Sequence, residues 1–205
     1  MDNTPTPDLQ FRATGKALVF SAPSGAGKTT LVRRLMAERA DVAFSVSATN
    51  RPLRGTERDG VDYHFLTTEE FREKVDRGEF LEWEEVYEGR FYGTLRSAVE
   101  KVWKEGHHVV FDVDVEGGIR LKELLGENIC SVFVSPPSLA VLEQRLRNRK
   151  TDSGDEIARR LAKAEREMAR AAHFDTVLVN DDLETACVEL TRLAAEFLGP
   201  QRVEA

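Results

Sequence analysis

"SAPSGAGKTT", residues 21–30, follows the apolar run "KALVF" and leads into a helical pattern that begins near Thr29. That order of strand, Gly-rich turn and helix suits the binding of phosphate. Glycines let successive backbone N–H groups converge on one anion, and the helix N-terminus adds partial positive charge at the same point. Lys28 is then placed for the β and γ phosphates of a nucleotide, and the Thr29 hydroxyl for Mg²⁺. The cradle comprises Ala22, Pro23, Ser24, Gly25, Ala26, Gly27, Lys28, Thr29 and Thr30. Ala22 stands where the pattern asks for Gly, and its small side chain leaves room for the turn. A Gly-rich turn without a ligand would explain the glycines but not the Lys28–Thr29 pair.

Working outward, "KALVFSA" (16–22), "DVAFSVS" (41–47), "HHVVFDVD" (107–114), "NICSVFV" (128–134) and "TVLVN" (176–180) are short apolar, β-rich runs. Most are near-continuous, as strands buried on both faces would be. Helical spacing separates them: Leu31, Val32, Leu35 and Met36; Val99, Val102 and Trp103; Leu121, Leu124 and Leu125; Val141, Leu142 and Leu146; Ile157, Leu161, Ala164 and Met168. Gly106 and Gly126 sit where helices should stop, and Asp182 where the last helix should start. The alternation predicts an α/β fold, a P-loop open parallel sheet of about five strands with helices on both faces.

Residues 47–96 break the alternation. "TTEEFREKVDRG" reads as one helix, with Thr67 and Glu70 spaced as a capping box and Gly78 as its stop. "DYHFL" and "FLEWEEVYEGRFYG" around it read as strands. The expectation is an inserted lobe over 47–96 within a core of 16–46, 97–144 and 161–199, with residues 1–15 a loose tail.

Composition narrows the classes. The chain has 205 residues, 41% hydrophobic, and a net charge of −7, so it can bury one sizeable core and offers no basic face to DNA or RNA. Its two cysteines, Cys130 and Cys187, lie in apolar runs and read as small buried hydrophobes, consistent with a reducing cytoplasm. The N-terminal stretch lacks the order of a signal peptide, and no apolar run reaches the length of a membrane span. No Cys/His cluster suggests a transition metal; His107 and His108 read as strand-edge residues, Trp83 and Trp103 as packing.

An acidic molecule that binds an anion must grip it locally. In "SATNRPLRGTERDGVDY", residues 47–63, Arg51, Arg54 and Arg58 sit among Pro and Gly with almost nothing apolar. Arg is suited to phosphate because its planar fork pairs two oxygens at once. A second anion site on an inserted lobe therefore suggests an acceptor that itself carries phosphate, to which Tyr63 and Tyr92 could add hydroxyls. The competing reading is a solvated loop in which Glu57, Asp59 and Asp62 neutralise the arginines, and for Arg58 that reading is preferred.

Taken in order, "SAPSGAGKTTL", "SVSATNRPLRGTERDGVDYHF", "EFLEWEEVYEGRFYGT", "VVFDVDVEGG" and "VNDDL" resemble bacterial guanylate kinases from Lys16 to Leu198. The resemblance implies a nucleoside monophosphate kinase that transfers the γ-phosphoryl of Mg·ATP to GMP, and to dGMP, releasing GDP and ADP. It implies that Arg51, Arg54, Tyr63 and Tyr92 hold the GMP phosphate and that Ser47, Glu82, Thr94 and Asp114 face guanine. Thr94 replaces the family's usual Ser and keeps the hydroxyl; Glu116 replaces its usual Gln and adds a carboxylate whose effect sequence alone does not reveal.

The residue types fit that chemistry. Guanine presents N1–H and N2–H₂ beside an O6 acceptor, so a carboxylate from Glu82 with a hydroxyl from Thr94 forms its complement. Adenine would leave groups unpaired. Asp112 ends its strand where a carboxylate could reach Mg²⁺ through water. Phosphoryl transfer also needs mobile cations, and the resemblance assigns Arg145, Arg149 and Arg160 to a lid over about 145–160. "KTDSGD" within it is short and polar, as a closing flap would be, while Arg159, Lys163, Arg166 and Arg170 read as a solvated helix face. Lys28, Arg51, Arg145, Arg149 and Arg160 are thus the expected catalytic cations. Two rivals are an interaction module of the same fold, which should lack Lys28 and the lid arginines, and a kinase for another phosphorylated acceptor, which should lack the Glu82–Thr94 pair.

Overall fold

The computed structural model describes residues 11–148 and 153–201. Five parallel strands form the main sheet: β1 (Ala17–Ser21), β2 (Val42–Phe44), β7 (His108–Asp112), β8 (Ile129–Ser135) and β9 (Thr176–Val179), in the order β2-β7-β1-β8-β9. β1 lies at the centre, paired with β7 through Phe20–Asp112 and with β8 through Ser21–Phe133. Its residues alternate between two cores. Leu18 and Phe20 pack with Leu31, Val32 and Leu35 of α1 (Lys28–Glu38) and with Ala186, Leu190 and Ala194 of α7 (Leu183–Leu198). Ala17 and Val19 pack on the other face with Val99, Val102 and Trp103 of α3 (Arg96–Lys104) and Leu121 and Leu125 of α4 (Val115–Leu125). Burial on both faces is why these strands read as continuous apolar runs rather than alternating ones.

The second sheet has the order β4-β3-β6-β5, built from β3 (Ala48–Thr49), β4 (His64–Phe65), β5 (Phe80–Tyr87) and β6 (Arg90–Leu95). Its own core is aromatic. Phe71 of α2 (Thr68–Asp76) stacks on Phe80 at 4.5 Å and on Phe91 at 5.6 Å, with Trp83 edge-on. The Thr67–Glu70 capping box forms as expected. One expected strand is shorter than its apolar run: β2 ends at Phe44, after which Ser45 makes a last bond to the Val110 carbonyl and the chain crosses to β3. Polar Ser45 and Ser47 mark that departure from the first sheet.

Helices α5 (Leu139–Asn148) and α6 (Gly154–Ala169) share a small core of Leu142, Leu146, Ile157 and Ala164. The expected lid boundaries at 145 and 160 therefore fall inside helices, since the lid's described residues extend two elements already packed together. Residues 149–152 lie outside the described residues, as do 1–10, the greater part of the expected tail. The remainder of that tail is packed, which corrects the expected boundary: Phe11 stacks on Trp103 at 5.8 Å, and Ala13 joins the same cluster. Among the described residues, no helix is long and apolar enough to cross a membrane.

Candidate active site

The turn after β1 rises into the N-terminus of α1, with Gly25 at φ 102° and Gly27 at φ 97°, a region that L side chains rarely adopt. Gly27 has a second constraint, since a Cβ there would lie 2.2 Å from Asn180 Nδ2. Buried Asn180, at the end of β9, donates to the Ala26 carbonyl at 2.7 Å and so braces the turn from behind. Lys28 pairs with Asp112 at the end of β7 and donates to the Val113 carbonyl at 2.7 Å. Every predicted cradle residue except fully buried Ala26 lines a cleft of about 420 Å³ between the two sheets.

Across that cleft stands the inserted lobe. Glu82 and Thr94 face each other in the β5–β6 register, and the Thr94 hydroxyl donates to Glu82 Oε1 at 2.5 Å. Thr94 therefore has its single proton on Glu82 and would have to turn it to reach guanine O6. Glu82 is 3% exposed; burial pushes its carboxyl up to about 7, opposed by the Thr94 hydrogen bond and reinforced by Asp114. Asp114 caps α4, accepting from the Gly117 N–H at 2.8 Å. Gly117 makes the close carboxylates possible: a Cβ there would meet Glu82 Oε2 at 2.8 Å and Asp114 Oδ1 at 3.0 Å. Ser47 lines the same end of the cleft.

Next to this polar pocket, Arg51 lies buried with its guanidinium 4.8 Å from the Tyr63 ring centroid and 5.4 Å from that of Phe65. The Tyr63 and Tyr92 rings meet edge-on beside it, 6.0 Å between centroids. Glu57 takes the guanidinium at two points, each 2.6 Å, and this pairing pulls the Glu57 carboxyl down to about 2. Arg54 is exposed and contributes its backbone N–H to Glu57 at 2.8 Å. Arg58 is exposed, its backbone N–H donating to Asp62 Oδ2 at 2.7 Å. Glu57 thus pairs with Arg51, as the competing reading of the loop allowed, but Arg51 is buried and not part of a solvated loop.

The lid cations separate. Arg160, on α6, reaches the cradle and donates to Ser24 Oγ at 2.9 Å. Arg145 points elsewhere, to the backbone carbonyls of Asn180 and Asp181 at 2.9 and 3.2 Å, and does not line the cleft. Arg149 lies outside the described residues.

Sequence reading missed Glu84, Val86 and Tyr87 of β5 and Lys163 and Glu167 of α6, all lining the cleft. Period-two spacing from Glu82 could have found Glu84 and Val86, and helical spacing from Arg160 could have found Lys163 and Glu167. Lys163 is not merely solvated, as expected, but sits 5.3 Å from the Tyr87 ring, bridging α6 to the lobe. Arg170 likewise holds Glu116 at two points, both 3.1 Å. The carboxylate at 116 thus ties α4 to the end of α6.

A family model described as Guanylate kinase matches residues 14–196. The guanylate kinase of Bacteroides thetaiotaomicron is 52% identical over 92% of this chain and 92% of that protein. That of Salinibacter ruber is 48% identical over 89% and 96%. The crystal structure of guanylate kinase from Anaplasma phagocytophilum superposes with a TM-score of 0.73 at 30% identity, covering 92% of this chain and 89% of that one. On its sequence and its fold, the chain belongs to the guanylate kinase family.

Proposed function

We propose that the chain phosphorylates GMP, and dGMP, at the expense of ATP, giving GDP or dGDP and ADP. The observation that carries this reading is the placing of Glu82, Thr94 and Asp114 across one cleft from Lys28 and the phosphate cradle. A nucleotide whose base has two adjacent donors can sit at one end with its phosphate directed at the cradle. A phosphate oxygen of the acceptor then attacks the γ-phosphorus in line, and the bond to the ADP oxygen breaks.

Each group has a part in that transfer. Arg51, with Tyr63 and Tyr92, receives the acceptor phosphate, and Arg54 adds a cation at the rim. Lys28 stabilises negative charge that grows between the β and γ phosphates, and Arg160 meets the equatorial oxygens from the lid. Movement of α6 onto the cradle excludes water, which would otherwise accept the phosphoryl group. Mg²⁺ fits the residues present, since Thr29 and Asp112 offer hard oxygen donors beside Lys28. Accompanying ATP, it would disperse charge over the β and γ phosphates. Among the described residues no three His, Cys, Asp or Glu side chains form a metal cage. Such a cage is not needed by an ion held chiefly by phosphates and water.

A coupled assay offering GMP, dGMP, AMP, CMP and UMP with Mg·ATP tests the proposal. GMP and dGMP should be the efficient acceptors; equal turnover of AMP would refute the assigned base pocket.

A further inference from the structure

Arg51 has five N–H groups in a fixed plane, and the structure accounts for three at one end of it. Nη1 donates to the Pro52 carbonyl at 3.0 Å and to Glu57 Oε2 at 2.6 Å, while Nη2 donates to Glu57 Oε1 at 2.6 Å. Nε–H and the second Nη2–H remain, and these lie side by side on one edge, a fork with the spacing of two phosphate oxygens. The guanidinium cannot easily turn to offer another edge, because it lies over the Tyr63 and Phe65 rings and is 6% exposed.

Glu57 is itself held firmly. Its Oε2 also accepts the Arg54 N–H at 2.8 Å, and its own N–H donates to the Arg54 carbonyl at 3.0 Å, closing a turn over residues 54–57. The carboxylate therefore sits in a bend of the same loop that carries both arginines.

We propose that Glu57 is a positioning residue for the acceptor phosphate: by occupying the end of the Arg51 guanidinium, it leaves the Nε–H/Nη2–H edge as the single fork on which that phosphate docks. The inference rests on the assignment of Arg51 to the acceptor phosphate made above. An unpaired Arg51 would have several edges to offer and several rotamers to offer them from, so part of the binding free energy would go into ordering it. With Glu57 in place, the ordering is complete before the nucleotide arrives.

Steady-state kinetics on Glu57→Gln, Glu57→Ala, Arg51→Ala and the Arg51→Ala/Glu57→Ala double variant test this. Glu57→Gln keeps the size of the side chain but sets an amide N–H₂ against the guanidinium. The KM for GMP should rise about tenfold, with kcat within about threefold of the parent and the KM for ATP unchanged. That last value, with the thermal midpoint, shows that the rest of the fold is intact. In the Arg51→Ala background, removing Glu57 should add nothing, because it acts through Arg51. A KM for GMP unchanged or lowered in both single Glu57 variants, or effects of Glu57→Ala and Arg51→Ala that multiply, would overturn the inference. If Arg51→Ala itself left the KM for GMP unchanged, the acceptor-site assignment would fall, and the inference with it.

Discussion

Acidifying the solution should weaken GMP binding through Glu82. Guanine N1–H and N2–H₂ are donors, so the partner carboxyl must be ionised, whereas burial pushes Glu82 up to about 7 from an ordinary 4.5. At about 1.4 kcal/mol per pH unit, that difference corresponds to about 3 kcal/mol favouring the neutral form. Below about pH 7 the guanine must expel a proton, so Kd should fall by up to about tenfold per unit as pH rises toward 7, then level off. The sign for folding is opposite. Between 4.5 and about 7 the unfolded chain has ionised Glu82 while the folded chain retains the proton, so Glu82 makes the unliganded protein less stable as pH climbs through that window. Titration calorimetry with GMP near pH 6, in two buffers of different ionisation enthalpy, counts the protons released. The GMP phosphate titrates near pH 6 as well, so Glu82→Gln, which shares that phosphate but has no carboxyl, is run beside the parent. Equal proton counts for the two proteins, with parallel pH profiles of Kd, would refute the role given to Glu82.

Lys28→Ala should abolish turnover while calorimetry shows GMP affinity changed less than about threefold, since its cation acts between the β and γ phosphates. Near-normal turnover would revive the interaction-module reading. Glu82→Gln should lower kcat/KM for GMP by about 2–4 kcal/mol and for AMP much less, reducing the ratio of the two, whereas Arg54→Ala should depress both and leave their ratio nearly constant. Asn180→Ala should cost about 1–3 kcal/mol in urea unfolding, because buried Ala26 loses the donor to its carbonyl. It should also raise the KM for ATP without moving that for GMP, and equal changes in both would show that the brace does not act on the cradle.

Much of the fold was legible because the sheet is buried on both faces. Runs such as "KALVF" and "ICSVFV" are short, apolar and rich in β-branched and aromatic residues, as strands buried on both faces are, and the Gly-rich turn between strand and helix oriented the rest. The Thr67–Glu70 box and the Asp182 cap were legible for a similar reason, since both are contacts within one turn of chain.

Individual residues of the site were legible where their type is uncommon for their surroundings. A lysine and hydroxyl after glycines, and arginines in a loop with no apolar anchor, pointed to ligands by themselves, whereas Glu82, one of several glutamates in its strand, was assigned through the resemblance to guanylate kinases. Which of those side chains meet depended on longer distances. Glu57 and Arg51 are six residues apart, yet only a closed turn over 54–57 brings the carboxylate onto the guanidinium. Glu116 meets Arg170 across 54 residues, and Asn180 meets the Ala26 carbonyl across 154. Charge and hydrophobic period determine which elements form and which face each buries. They carry no information on the pairing of polar groups distant in sequence, because that geometry exists only once the sheets and helices have packed.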